Sequence, residues 1–284
     1  SVITSTVAIV HRSGTVTYWG GGTGYTGLQV TGTARLGADN GLATTAIVTL
    51  GVSGAGTLDL AGKNQSLPGI VKGPNAATVG NSSTTADSVL TTTSTGTFDG
   101  VIKDVLGTGT RTTGLAITGG TLTLGGANTY TGNTTIGTGT ALTLADNAQL
   151  KFAIGASSNS ISGAGSAFLD GDFNIDTSVS DASPATSGTW TLENVASVYS
   201  ETFTVISGAT AWTATGDVWT KTVGNKSYSF DEGTGVLTMT ASAGGFSTWA
   251  ASKGLDGTPG KENGLTDDPE KDGISNLAEF YLDG

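Results

Sequence analysis

Residues 268–279, DPEKDGISNLAE, place oxygen-bearing groups at intervals that could wrap one point in space. Asp268 comes first, Glu270 third, Asp272 fifth, the Ile274 carbonyl seventh, Asn276 ninth and Glu279 twelfth. A hard cation such as calcium takes about 6–8 oxygen ligands, and a twelve-residue loop with this spacing supplies them. Gly273, at the sixth place, permits the sharp bend, and Glu279 can offer both carboxylate oxygens from the first turn of a following helix. Two positions depart from the usual pattern. Glu270 stands where Asp or Asn is common, and Ser275 stands where an apolar residue is common. The competing reading is a solvated helix start, since Asp and Asn also gather there as caps. Calcium is the expected cofactor, held by Asp268, Glu270, Asp272, Ile274, Asn276 and Glu279.

Other candidate chemistry is thinner. DGDFNID at 170–176 puts Asp170, Asp172, Asn174 and Asp176 on one face of a strand, with Phe173 and Ile175 on the other. That face could meet a cation or a sugar, or simply face solvent. GTGYTG at 22–27 matches a dinucleotide fingerprint, but strand-like LQVTG follows where a helix N-terminus is required, so it reads as a turn. His11 is the only histidine, lies beside Arg12 before a turn, and reads as a surface residue. No G-x-S-x-G elbow occurs, and neither Lys/Arg nor carboxylates cluster within the apolar-alternating region, so no catalytic residues are assigned and no enzyme is expected. Four N-x-S/T sequons, at Asn64, Asn81, Asn133 and Asn225, fall within chance for a chain so rich in Ser and Thr.

The elements that must position these groups follow from composition. The chain has 284 residues, 46 of them Gly, with only 12% charged. No Gly-X-Y period accompanies the glycine, which excludes collagen. Alternating Val, Ile, Leu and Thr at low charge is the opposite of a disordered composition. Short strands with tight turns remain, Gly supplying the corners that need positive φ. The net charge of −11 argues against nucleic acid and anionic lipid as partners. No apolar run reaches about 18 residues, so no membrane insertion is expected. Cysteine is absent, which removes disulfide and thiol chemistry. A start at Ser1 fits a processed export product.

Along the chain, residues 1–27 read as an N-terminal strand segment or cap, with SVITSTVAIV as an apolar strand. Residues 28–177 repeat runs of three to six residues with an apolar side chain at every second place, each bounded by Gly, Asn, Asp or Ser. GTLDL (56–60), GTLTL (120–124) and GTALTL (139–144) are near copies, and GTFDG (96–100) is a looser one. Such repeats are units that bury their inner face only by stacking. A β-solenoid of about 20 residues per coil accounts for them better than a sandwich, with Thr stacked over Thr and Asn over Asn. Residues 178–245 hold longer strands and Trp190, Trp212 and Trp219, a β-rich region suited to packing in a core or capping the column. Residues 246–284 form an acidic tail with short helices at FSTWAASK and SNLAEFYL around the calcium loop.

GTLDLAGKNQSLPGI (56–70) and GGTLTLGGANTYTGNTTI (119–136) resemble the autotransporter-associated β-strand repeat of Gram-negative bacterial surface proteins. The segment 80–104 is similar to the linkers between such repeats, and the 268–279 loop resembles dockerin and thrombospondin-type calcium loops. The resemblance implies an all-β, right-handed parallel β-helix that is exported and sits on or outside the cell. No translocating β-barrel follows in this chain, which departs from a complete autotransporter. A structural protein is expected, assembling with itself into a fibre or surface layer, through residues 1–10 and the C-terminal tail. The alternative is an adhesin or glycan-binding module; a polysaccharide lyase is the third reading.

Overall fold

The computed structural model describes residues 9–20, 24–185, 187–241 and 245–283. Strand accounts for 48% of the chain and helix for 6%, and the strands wind as a parallel β-solenoid of about seven turns. Residues 1–8, expected to contribute a strand, and the first two residues of the GTGYTG stretch lie outside the described residues.

The winding has three faces. On the first, Ile9–His11, Gly27–Val30, Ile47–Leu50 and Gly69–Lys72 pair in parallel, in that order. Gly96–Phe98 lies beside Gly69–Lys72 and continues the stack through Thr121–Leu124, Ala141–Leu144, the second half of Ile161–Leu169 and that of Glu193–Tyr199. The second face stacks Thr15–Tyr18, Gly32–Leu36, Gly56–Asp59, Ala77–Asn81 and Val101–Val105, then Gln149–Ala153, Asp172–Asp176 and Val205–Ser207. Gln65–Leu67, Ser88–Thr92, Thr113–Ile117, Thr134–Ile136 and the first half of Ile161–Leu169 make the third.

Alternation along each strand decides what fills the interior. Ala34, Leu58, Val79 and Ile102 stand over one another on the second face, and Phe98, Leu124, Leu144, Leu169 and Tyr199 do so on the first. The result is one apolar column running the length of the shaft. Outward positions carry Thr in register: Thr15, Thr33, Thr57 and Thr78 on one face, Thr97, Thr123 and Thr143 on another. The stacking of Thr over Thr expected from composition is therefore present.

Coil length varies more than the expected 20 residues. Thr15 lies over Thr33, 18 residues on, whereas Ile161 lies over Glu193, 32 residues on. The excess is absorbed at corners, and Asn and Asp side chains hold those corners. Asn40, Asn64 and Asp87 each accept the backbone N–H of Ser66, Val89 and Thr112 in the coil above, at 2.8–2.9 Å, and Asn133 accepts that of Ser160 at 3.0 Å. Asn64, Asp87 and Asn133 each stand immediately before a third-face strand, so the side chain extends the ladder past the strand end. Three of the four sequons, at Asn64, Asn81 and Asn133, thus arise from corner asparagines. Asn128 of GGANTYTGNTTI does more. Its Oδ1 accepts from Ile102 N at 2.9 Å, while its own N–H donates to Gln149 O at 2.9 Å, so it bridges the second face where no regular strand runs. Tyr130 fills the adjacent corner and its hydroxyl meets Thr134 Oγ1 at 2.7 Å. Burial raises the Tyr130 phenol well above its ordinary pKa.

One corner is turned inside a strand. Ile161–Leu169 belongs to two faces, and its pairing with Glu193–Tyr199 slips between Ser162 and Ser166. Gly163 has φ +128°, and a Cβ there would lie 2.1 Å from Ile136 O, so only glycine fits.

The last coil is closed by an antiparallel sheet, in the order Ser187–Thr191, Val236–Ala241, Lys226–Asp231, Val218–Val223 and Thr213–Thr215. Its Phe230 ring lies 5.6 Å from Phe173 and 6.4 Å from Tyr199, and Trp219 lies 5.9 Å from Phe203. Trp212 is buried, Trp190 and Trp219 are half-buried against the core, and Trp19, at 73% exposed, is outside it. His11 corrects the surface reading. It is only 6% exposed, because it stands in register with Val30 and Leu50, at the inward position of the first coil.

Asn81 is the sharpest test of the corner argument. It is fully buried, its Oδ1 accepts from Gly62 N and Ser83 N, and its Nδ2 donates to Ala86 O and Thr112 O. Asn81→Ala removes four part-buried hydrogen bonds to the backbone and is expected to cost about 2–3 kcal/mol. Asn64→Ala, at an exposed corner, is expected to cost about 1 kcal/mol or less. Urea unfolding of both variants checks this; equal losses would count against it.

Candidate functional site

The DGDFNID run becomes the second-face strand Asp172–Asp176, paired on both sides. Phe173 and Ile175 are buried and the acidic positions face outward, as expected; the strand is interior to its sheet rather than at an edge. The outward groups are engaged by the neighbouring coils. Asp170 accepts from the hydroxyls of Ser200 and Thr202, which hold its carboxyl below the usual range, and Asp172 accepts from Thr204 and from Gln149. Asn174 Oδ1 accepts from Gly208 N at 3.1 Å. Asp176 pairs with Lys151 at 2.8 Å and accepts from Ser178 N at 3.1 Å. The Lys151 ammonium is the chief reason the Asp176 carboxyl is lowered to about 2.

Helix α1, Ser178–Ala182, follows this strand, at the start of the region read from the sequence as β-rich. The closing sheet fastens it. Lys226, buried, donates to the carbonyls of Ser180, Asp181 and Ser183, and the Tyr228 hydroxyl reaches Asp181 Oδ1 at 2.7 Å. A cation at the carbonyl end of a helix turn is the favourable arrangement.

Between the second face, α1 and the closing sheet lies a groove of about 400 Å³. Lys151, Asn174 and Asp176 form its floor, Thr177 and Asp181 one side, and Lys221 the other. Lys221 Nζ sits 5.9 Å from the centre of the Trp212 ring and 3.5 Å from Thr177 Oγ1. Sequence reading flagged Asn174 and Asp176 through their alternation. It missed Thr177, next after the strand, and also Lys151, from the neighbouring coil, and Lys221, from the closing sheet, which carry no local signal.

The C-terminal loop is held by helices α2, Gly245–Ser252, and α3, Asn276–Asp283, both at the expected places. Phe246, Trp249 and Phe280 pack with ring centres 5.7–5.9 Å apart. Within the loop, Asp268 accepts from Asp272 N at 3.2 Å and Gly273 N at 2.9 Å, and Asp272 accepts from Ile274 N at 2.8 Å. Gly273 has φ +89°, the bend expected of it. Asn276 is buried and turned toward the preceding segment, donating to Glu262 O and Gly264 O, while its Oδ1 has no partner. Glu279 lies in the first turn of α3. The bend is the one expected at Gly273, and among the described residues no three acidic, histidine or cysteine side chains are gathered into one group.

No protein-family model, curated protein or solved structure matches the chain. Among the described residues no helix is long and apolar enough to cross a membrane.

The Lys151–Asp176 pair has a defined pH signature. The Asp176 pKa is lower in the folded chain than the roughly 3.9 of an unfolded Asp, so the pair stabilises the fold above about pH 4. That contribution is lost as the pH falls toward about 2. Both groups are partly exposed, which screens the effect to about 1 kcal/mol at most. Asp176→Asn is expected to flatten the stability profile over this interval in low salt; a variant with an unchanged profile would refute the assignment.

Proposed function

We propose that this chain is an extracellular structural protein, a β-solenoid shaft that assembles with copies of itself into a fibre or layer outside a Gram-negative-type cell, without catalysis. The carrying observation is the register of the outer surface. Thr15, Thr33, Thr57 and Thr78, and again Ser66, Thr91, Ala116, Thr135 and Ser162, form straight uncharged columns on two faces. Flat, repetitive, weakly charged faces of this kind suit lateral packing against an identical face, where the repeat of one shaft meets that of the next. Ile9–His11 and Thr15–Tyr18 are paired on one side only among the described residues, which leaves strand edges for a further contact. Multi-angle light scattering and negative-stain imaging of the purified chain are expected to show ordered assemblies that grow with concentration. A monomer that persists at high concentration, with calcium present, would overturn the reading.

We also propose that calcium rigidifies the tail, with Asp268, Glu270, Asp272, Glu279 and the Ile274 carbonyl as its ligands. Asn276 contributes from behind, by fixing the start of α3 against the 262–264 backbone. With calcium near 100 times Kd, hydrogen exchange in residues 264–280 is expected to slow by an amount equal to about 2.7 kcal/mol. Asp272→Ala should abolish the slowing; protection that is independent of calcium would rule out the site.

The second reading, a glycan-binding surface module, is favoured by the groove at the end of the shaft.

A further inference from the structure

The groove differs from the rest of the surface in which of its polar groups are already engaged. Both Asp176 oxygens are taken, by Lys151 and by Ser178 N. Both Asp181 oxygens accept hydroxyls, from Tyr228 and Thr177. The Asn174 oxygen accepts from Gly208 N. The acceptors lining the floor are therefore occupied.

The donors are not. Among the described residues Lys221 has no carboxylate within ion-pair distance, and its one polar contact there is the long one to Thr177 Oγ1. Its ammonium lies over the Trp212 ring, 5.9 Å from the ring centre, an attraction that favours this position at the groove's side. Lys151 makes a single contact, to Asp176, and keeps N–H groups to spare. The Asn174 amide nitrogen has no partner among the described residues. Three donors thus line a groove of about 400 Å³ on a chain whose net charge is −11.

We propose that this groove binds one carboxylate-bearing sugar ring, a uronate unit of an acidic glycan, with the sugar carboxylate on Lys221 and ring hydroxyls on Lys151 and Asn174. The volume suits a ring of that size rather than a bare ion. The Trp212 ring attracts the Lys221 ammonium, so that group is positioned before the ligand arrives and less side-chain freedom is lost on binding. The proposal deepens the glycan-binding reading and does not depend on self-assembly, so failure of either leaves the other standing.

Calorimetric titration of the full chain with oligogalacturonate, and with a neutral glucan oligomer of equal length, tests it. Oligogalacturonate is expected to bind, more weakly as salt rises, and the neutral oligomer is not. Lys221→Met should weaken binding about tenfold or more, Lys221→Arg should retain most of it, and Lys103→Met, on the same face but away from the groove, should change nothing. Thermal melting of each variant separates lost binding from lost folding. Equal binding of the two oligomers, no binding of the acidic one, or full affinity in Lys221→Met would each overturn the proposal.

Discussion

Everything in this molecule depends on returning the chain, once per coil, to a height at which its backbone can pair with the coil below. Parallel strands cannot be joined by a two-residue hairpin, and every coil here meets its neighbour in parallel. Most strands are only three to five residues long and make few ladder bonds each, so the corners decide whether the register holds. Asn and Asp meet that demand because their side chains imitate a backbone carbonyl at the corner, where the backbone itself has turned away. A buried corner amide such as Asn81 satisfies four backbone groups at once, a larger share than most strand residues contribute.

Once register is fixed, interior and exterior follow with no further instruction. A period of two sends alternate residues to opposite sides, and stacking places like over like. The interior becomes a column of Leu, Val, Ile and Phe, and the exterior becomes rows of Thr. The column must also end somewhere. At its C-terminal end the aliphatic side chains give way to Phe152, Phe173, Phe203 and Phe230, with the Phe152 and Phe173 rings 4.7 Å apart and the Phe173 and Phe203 rings 5.0 Å apart. Large rings fill the wider last coils and present a surface on which an antiparallel sheet can lie across the coil direction. The groove, α1 and the Lys226 anchor exist only because two sheets of different direction meet there.

Strand type, alternation, the stacking of Thr and the position of both tail helices were legible in the sequence, since each depends on residues within a few positions of one another. Which strands share a face was not. GTLTL and GTALTL stack on each other, Leu122 over Leu142, and GTFDG joins them, but the near copy GTLDL lies on a different face. Similar letters report similar local structure, whereas the face is set by how many residues each corner consumes. His11 was misread for a related reason, as its neighbour Arg12 suggested solvent while its register position places it inside. The groove was half visible: Asn174 and Asp176 announce themselves by alternation, and Lys151 and Lys221 lie 23 and 47 positions from Asn174 with nothing local to mark them.

The far end of the shaft is stoppered. Aromatic rings and a crossing sheet seal the last coil, with Phe230 of that sheet against Phe173 of the column. In a stack where each layer leans mainly on its neighbours, a plug at one end protects every layer behind it. Tension applied there would first have to prise out the stopper before any coil could peel away, so the plug sets the force at which that end of the thread yields.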